Sequence, residues 1–266
     1  MKNKIKIRGH QMVYDDLGTG DVILFIHGQP FNRSMWNYQS KLFSEKYRLI
    51  IPDLRGYGES EVKPGVVLLD ELALDIIHLL ETLEIDKAFF VGLSMGGQIA
   101  LEIFRLKPLL FKGLILADTD ARSENEEGYN NRMTLAQRIE DYGMAKFISE
   151  RINKFMCQHT FNTKPEVVTH LEEMILTTSP EGSAAAQRGR AERRDHTNIL
   201  QDICCPTLII VGDQDEFTPI ESANYMHTRI PGSELAIISQ SGHIPSMEQP
   251  EEFNFILKKF LDKVEF

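Results

Sequence analysis

Ser94 stands among glycines in Gly92-Leu93-Ser94-Met95-Gly96-Gly97, a spacing that lifts a serine hydroxyl to the apex of a sharp strand-to-helix turn. Such a turn strains a non-glycine backbone by roughly 1–3 kcal/mol. It also requires small residues two before and two after the serine, because a Cβ there would collide where strand and helix converge. A serine hydroxyl is a poor nucleophile at neutral pH. It needs an imidazole to take its proton, and a carboxylate to orient that imidazole and stabilise the imidazolium. Of eight histidines, His10, His78, His159, His170, His196 and His227 fall in the N-terminal segment, in helical patterns or in a strand-free block, whereas His27 and His243 follow apolar runs. His27 leads directly into Gly28-Gln29-Pro30 and is read as a brace for that loop; His243, in Ser241-Gly242-His243, is read as the base. Asp215, in Gly212-Asp213-Gln214-Asp215, is the first choice for the acid and Asp118 the second, with Asp213 close enough to its strand to cap the turn. Acyl transfer also needs donors for an oxyanion, each worth roughly 3–4 kcal/mol in the transition state. Two backbone amides suit: Met95, at the positive end of the helix after the serine, and Gln29, because Pro30 has no N–H.

These residues meet only if strands and helices alternate in one parallel sheet, whose carboxyl-end loops carry the reactive groups. The sequence has that alternation. Apolar, largely β-branched runs occur at 22–26, 47–51, 89–93, 113–117, 207–211 and 234–238, the pattern of strands buried on both faces. Helical spacing fills 34–45, 70–83 with Asp70 at the N-cap, a stretch from Ser94 to about 107, and 250–264. Residues 4–16 suggest a peripheral hairpin, and Asp53 with Arg55 a structural ion pair. The stretch 119–202 has no buried-strand run and carries helical spacing at 133–142, 144–155, 165–177 and 184–193. It reads as a helical lid inserted into an α/β core made of 1–118 and 203–266.

Composition narrows the function classes. With 266 residues, 42% hydrophobic and 26% charged, the chain has the length and balance of a sizeable soluble domain. A formal net charge of -10 and no Lys/Arg-rich run argue against a nucleic-acid partner. No apolar stretch has signal-peptide or membrane-spanning length, so no membrane partner and a cytoplasmic location are expected. Cys157, Cys204 and Cys205 form neither a disulfide framework nor a zinc-ligand spacing; no metal and no cofactor are expected.

Five motifs together carry a family resemblance: His27-Gly28-Gln29-Pro30, Asp53-Leu54-Arg55-Gly56-Tyr57-Gly58-Glu59-Ser60, Gly92-Leu93-Ser94-Met95-Gly96-Gly97, Gly212-Asp213-Gln214-Asp215 and Ser241-Gly242-His243. In that order the chain resembles the α/β-hydrolase fold superfamily, most closely its small bacterial carboxylesterases and the 3-oxoadipate enol-lactonase-like group. The resemblance implies a serine hydrolase for a small ester or lactone. Ser94 would attack, His243 shuttle the proton, Asp215 orient it, and the Gln29 and Met95 amides bind the oxyanion. Serine at the elbow disfavours the dehalogenase and epoxide-hydrolase relatives, which place Asp there. Carbon–carbon bond hydrolases and cofactor-free haloperoxidases or perhydrolases share the serine and stand as alternatives. A non-catalytic ligand-binding protein on the same fold is the rival from another class.

Substrate choice would lie in the lid. Arg188, Arg190, Arg193 and Arg194 fall in one short stretch; a solvated face paired with Glu192 and Asp195 is the simpler reading, with Arg190 kept as a pocket residue for an acidic substrate. Phe31 and Trp36 are the other pocket candidates. A homodimer is compatible with the sequence, which does not specify oligomeric state.

Overall fold

The computed structural model of the chain describes residues 2–264. Eight strands form one sheet: β1 (Lys2–Ile7), β2 (His10–Leu17), β3 (Val22–Ile26), β4 (Arg48–Pro52), β5 (Ala88–Leu93), β6 (Phe111–Ala117), β7 (Thr207–Gly212) and β8 (Glu234–Ile238), in the order β1-β2-β4-β3-β5-β6-β7-β8. β1 and β2 form the expected antiparallel hairpin, turning through Arg8 and Gly9 at φ 45° and 82°. β2 also runs antiparallel to β4, and every pairing from β4 to β8 is parallel.

Parallel neighbours need crossovers, and helices supply them: α1 (Asn37–Phe43), α2 (Leu69–Thr82), α3 (Met95–Leu106) and α8 (Ile220–His227), while α9 (Pro245–Glu248) and α10 (Pro250–Val264) follow the last strand. Side chains alternate across the sheet, so its two faces build two cores. Leu24, Ile26, Phe90 and Leu114 pack with Ile76, Ile99 and Met226 of α2, α3 and α8. Ile23, Phe25, Phe89 and Ile115 pack with Phe43, Phe253 and Leu257 of α1 and α10. β5 and β7 are buried at every residue, which is why their sequences are continuously apolar rather than alternating.

Four helices lie between β6 and β7 in chain order: α4 (Glu126–Phe155), α5 (Gln158–Thr163), α6 (Pro165–Leu176) and α7 (Pro180–Ala191). The two helices read at 133–142 and 144–155 are one element broken at Gly143 (φ 74°, ψ 179°). It starts seven residues earlier than the apolar spacing, where Asn125 caps it by accepting from the Gly128 amide at 2.8 Å. α7 is rich in Ala, Gly and Ser and approaches the core backbone closely, with the Val67 amide bonding to the Ala185 carbonyl at 3.1 Å. Short α5, α8 and α9 span too few residues for an apolar periodicity to mark them in the sequence.

Two local expectations change. α2 begins at Leu69, and Glu71 accepts from the Leu68 amide at 3.1 Å, so Asp70 sits inside the first turn rather than at the cap. Asp53 does not pair with Arg55. Its carboxylate holds the Arg33 guanidinium and accepts from the Arg33 and Glu59 amides at 2.8 and 2.9 Å, while Arg55 makes a two-pronged contact with Asp75 of α2 at 2.7 and 2.8 Å. Sequence proximity suggested the first pairing; the turn between β4 and α2 sends the two side chains to different partners. Among the described residues no helix is long and apolar enough to cross a membrane.

Candidate active site

Ser94 occupies the junction of β5 and α3 at φ 55°, ψ −115°. The strain is held from three sides: its amide donates to the Ala117 carbonyl of β6 at 2.9 Å, and its carbonyl accepts from the Gly97 amide at 3.0 Å and from Thr119 Oγ1 at 2.7 Å. A Cβ on Gly92 would lie 2.4 Å from the Gly96 carbonyl oxygen, and one on Gly96 would lie 2.1 Å from that of Ile26. The glycines are therefore required by close backbone approach around the serine.

His243 lies in the loop between β8 and α9, and its Nδ1 is 2.8 Å from Asp215 Oδ2. The imidazole is flanked by Phe217, edge-on at 4.9 Å between ring centres, and by Phe155 at 6.4 Å. Asp215 follows β7. Its Oδ1 accepts from the Phe217 and Thr218 amides at 2.8 and 3.2 Å, and its Oδ2 accepts from Thr218 Oγ1 at 2.6 Å as well as facing the imidazole. Burial alone would raise the Asp215 pKa. The opposing charge of His243 and these donors outweigh it and draw the value down to about 2. An ionised Asp215 only accepts, so the hydrogen between the two residues sits on Nδ1 of His243 and Nε2 is turned away from the carboxylate.

Asp118, after β6, is held at φ 44° and accepts from the Gly212 amide at 2.9 Å through Oδ1, while its Oδ2 has no hydrogen-bond partner among the described residues. Burial, and then the charge of Asp215, push its carboxyl well above the usual range. Asp118, Asp215 and His243 each bring one polar atom within 4.8 Å of the others, the geometry a cation site would also need. Here four donors already occupy the Asp215 oxygens. The cluster is thus a hydrogen-bonded acid–base pair beside a second carboxyl group.

His27 is fully buried; its Nε2 accepts from the Leu54 amide at 3.0 Å and its Nδ1 faces the Gly28 carbonyl at 2.8 Å, which braces the loop as expected. That loop presents the Gln29 amide, and α3 presents the Met95 amide at its first position. Neither donates to an acceptor among the described residues. Ser94, Gln29 and His243 open onto one cavity of ≈ 570 Å³. No hydrogen bond joins Ser94 Oγ to His243 among the described residues; contacts of this kind commonly tighten only when substrate is bound.

The family model described as the alpha/beta hydrolase fold matches residues 21–250. The chain belongs to the α/β-hydrolase fold family. This α/β-hydrolase is 31% identical to 3-oxoadipate enol-lactonase 2 of Acinetobacter baylyi over 253 residues, 93% of each chain. Among solved structures it is similar to a thermophilic esterase from Thermogutta terrifontis, solved with malate bound, at 38% identity, full coverage of both chains and TM-score 0.96. A bromoperoxidase from Bacillus anthracis matches at 26% identity, TM-score 0.88, 98% of this chain and 100% of that one.

Two pocket candidates of the α/β-hydrolase lie elsewhere. Phe31 and Trp36 are both fully buried in the core: Trp36 packs on Phe25 and Phe253 at 5.0 and 6.3 Å, and Phe31 on Phe155 at 5.5 Å. Neither lines the cavity, because the segment after the Gln29 loop turns inward beneath the sheet's second face.

Arg190 does reach the cavity. It is buried, with Nε 3.2 Å from Gln98 Oε1 and Nη1 3.4 Å from Gln29 Oε1. The other arginines of that stretch pair with acids, though not with Glu192 or Asp195: Arg188 with Glu140 at 2.6 Å, Arg193 with Glu124, and Arg194 with Asp70 at 3.6 Å. Gln98, Phe155, Phe217 and Arg132 line the cavity and were not anticipated. Gln98 was findable, as the polar residue one helical turn beyond Ser94. Arg132 and Phe155 come from α4, where nothing in the spacing points them inward.

Proposed function

We propose that this α/β-hydrolase cleaves a small carboxylic ester or lactone through an acyl-enzyme on Ser94. The observation that carries the proposal is the 2.8 Å contact of His243 Nδ1 with Asp215, set on the same cavity as a serine held at a strained, glycine-flanked apex. Ser94 Oγ attacks the carbonyl carbon as His243 Nε2 takes its proton. The tetrahedral oxyanion is held by the Met95 and Gln29 amides, and His243 returns the proton to the departing alkoxide. Water, deprotonated by the same nitrogen, then releases the acid and restores Ser94. Asp215 stays ionised throughout, holding the tautomer and stabilising the imidazolium. The names of the esterase and enol-lactonase relatives support the same reaction class.

The substrate carries a carboxylate of its own. Glu124 is shared between Arg132 and Arg193, and Arg122 pairs with Asp120, but Arg151 and Arg190 of the same cavity have no carboxylate partner among the described residues, and of these two Arg190 is the one that reaches Gln29 and Gln98 beside Ser94. Burial, and then the neighbouring Arg132 and Arg193, hold the Arg190 pKa well below the usual arginine range against the smaller opposing pull of Tyr57 and Glu124, so the cation lacks a directly bonded counter-charge. A substrate carboxylate supplies that charge. The helical insertion, residues 119–202, acts as the lid that brings this arginine over the core formed by 1–118 and 203–266.

A fluorophosphonate probe tests the nucleophile. Wild-type protein gains the mass of one adduct on Ser94, Ser94→Ala gains none, and His243→Ala labels at least about 10³-fold more slowly. A folded wild-type protein that stays unlabelled would falsify the proposal.

A further inference from the structure

Glu248, the last residue of α9, is fully buried and enters no ion pair among the described residues; five hydrogen-bond donors surround it instead. Its Oε1 accepts from the Gly242 amide at 2.8 Å, the Ile244 amide at 3.3 Å and Ser241 Oγ at 3.3 Å. Its Oε2 accepts from the Cys157 amide and from Thr160 Oγ1, both at 2.8 Å. One oxygen therefore serves the loop that carries His243, and the other serves the junction between α4 and α5 of the helical insertion. A buried carboxylate without a cation is costly unless dipoles point at it. The donors at Glu248 are aimed that way, and they converge on the two segments that flank the imidazole.

The amides of residues 242, 243 and 244 divide between two acceptors. The outer two donate to Glu248, while the His243 amide donates to the carbonyl of Phe155 at 2.9 Å. Phe155 ends α4, lines the cavity and lies against the His243 ring. Cys157 Sγ adds a further tie, donating to the Gln240 carbonyl at 3.0 Å. A Cβ on Gly242 would meet Met156 and Cys157 backbone atoms at 3.0 Å, so the two segments are packed backbone on backbone.

We propose that Glu248 is a positioning residue: it fixes the backbone on both sides of His243 and ties that backbone to residues 155–160 of the insertion, so that base and insertion move as one unit. The inference rests on the reading of His243 as the base. Substrate seated under the insertion then bears on the placement of the imidazole, although Glu248 touches neither. A neutral amide cannot replace the carboxylate. Glutamine has one acceptor oxygen, and its NH₂ must face donors on the Oε1 side or on the Oε2 side.

The test compares Glu248→Gln, Thr160→Val and His243→Ala on one activated ester, with far-UV circular dichroism as the check on folding. Thr160→Val removes one of the two donors on the insertion side of the bridge and leaves the Cys157 amide and the whole His243 side in place. Glu248→Gln is expected to lower kcat about 10²-fold with KM within threefold of wild type, the size of effect a misplaced reacting group produces. Thr160→Val is expected to lower kcat about threefold to tenfold, again with KM held. The downfield proton NMR resonance of His243 Nδ1–H should broaden in both variants while the thermal unfolding midpoint stays within a few degrees of wild type, which separates a local change at the imidazole from a general loss of stability. A folded Glu248→Gln with kcat within twofold of wild type overturns the positioning role. If Glu248→Gln fails to fold, Thr160→Val decides: unchanged kcat and an unchanged resonance overturn the inference. Should His243→Ala retain turnover, the base assignment fails first; if it is inactive while Glu248→Gln and Thr160→Val match wild type, only the role of Glu248 is lost.

Discussion

Asp118 and Asp215 stand side by side behind one imidazole, and they divide its surroundings unequally. Asp215 bonds to His243 and is drawn down to a pKa of about 2, whereas Asp118 is turned to the Gly212 amide and is pushed upward by burial and by its neighbour's charge. Two carboxyl groups this close do not both ionise easily, and the hydrogen bonds decide which one carries the charge.

Replacing Asp215 by Asn removes the charge and presents an amide that can favour the wrong imidazole tautomer. Turnover is expected to fall by about 10⁴-fold. Asp118→Asn imitates the protonated acid in shape and keeps an acceptor for Gly212, so kcat should stay within about tenfold of wild type. Steady-state kinetics on one ester decide it. A large loss confined to Asp118→Asn would reverse the two roles.

Asp215 also shapes the acid limb of stability. An unfolded Asp titrates near about 3.9, while folding lowers this one to about 2. Its contribution is therefore fully present above about pH 4 and is lost as the pH falls toward about 2, on the order of 2 kcal/mol in all. Urea unfolding of wild type and Asp215→Asn at stepped pH should show the stability gap between them narrowing over that window. A gap that stays constant with pH counts against the charged state of Asp215.

Arg190→Gln separates substrate charge from fold. Loss of the cation should lower kcat/KM for a half-ester of a short dicarboxylic acid by about 10- to 100-fold, corresponding to roughly 1.5–3 kcal/mol for a hydrogen bond to a charged group. The neutral diester of the same acid should change by less than threefold. Equal losses on both substrates would mean that Arg190 acts through Gln29 and Gln98, its neighbours at 3.4 and 3.2 Å, and not on the substrate.

Much of this architecture was legible because local physics wrote it into local sequence. A strand buried on both faces must be continuously apolar, so β3, β5, β6 and β7 announce themselves, and a serine in a strained turn needs Gly92 and Gly96 beside it. Chain order along a parallel sheet then sends the Gln29, Ser94, Asp215 and His243 loops to one end. What depends on distant segments meeting was not legible. Trp36 reads equally well as pocket or core until Phe25 and Phe253 close over it. Asp53 and Arg55 look like partners until Arg33 and Asp75, neither adjacent in sequence, claim them. The cavity's charged residues, among them Glu124, Arg132, Arg151, Arg190 and Arg193, come from separate turns between β6 and β7, and Glu248 joins residues 91 and 88 positions away to its own loop. The sequence by itself determined where the candidate reactive groups stand, because a strained serine turn and the strand-end loops around it are set by short-range sterics and chain order. Only the tertiary structure decided which charges stay unpaired in the cavity beside Ser94 and which groups surround the His243 loop, because hydrogen bonds and ion pairs are formed by whichever side chains the packed helices bring within reach.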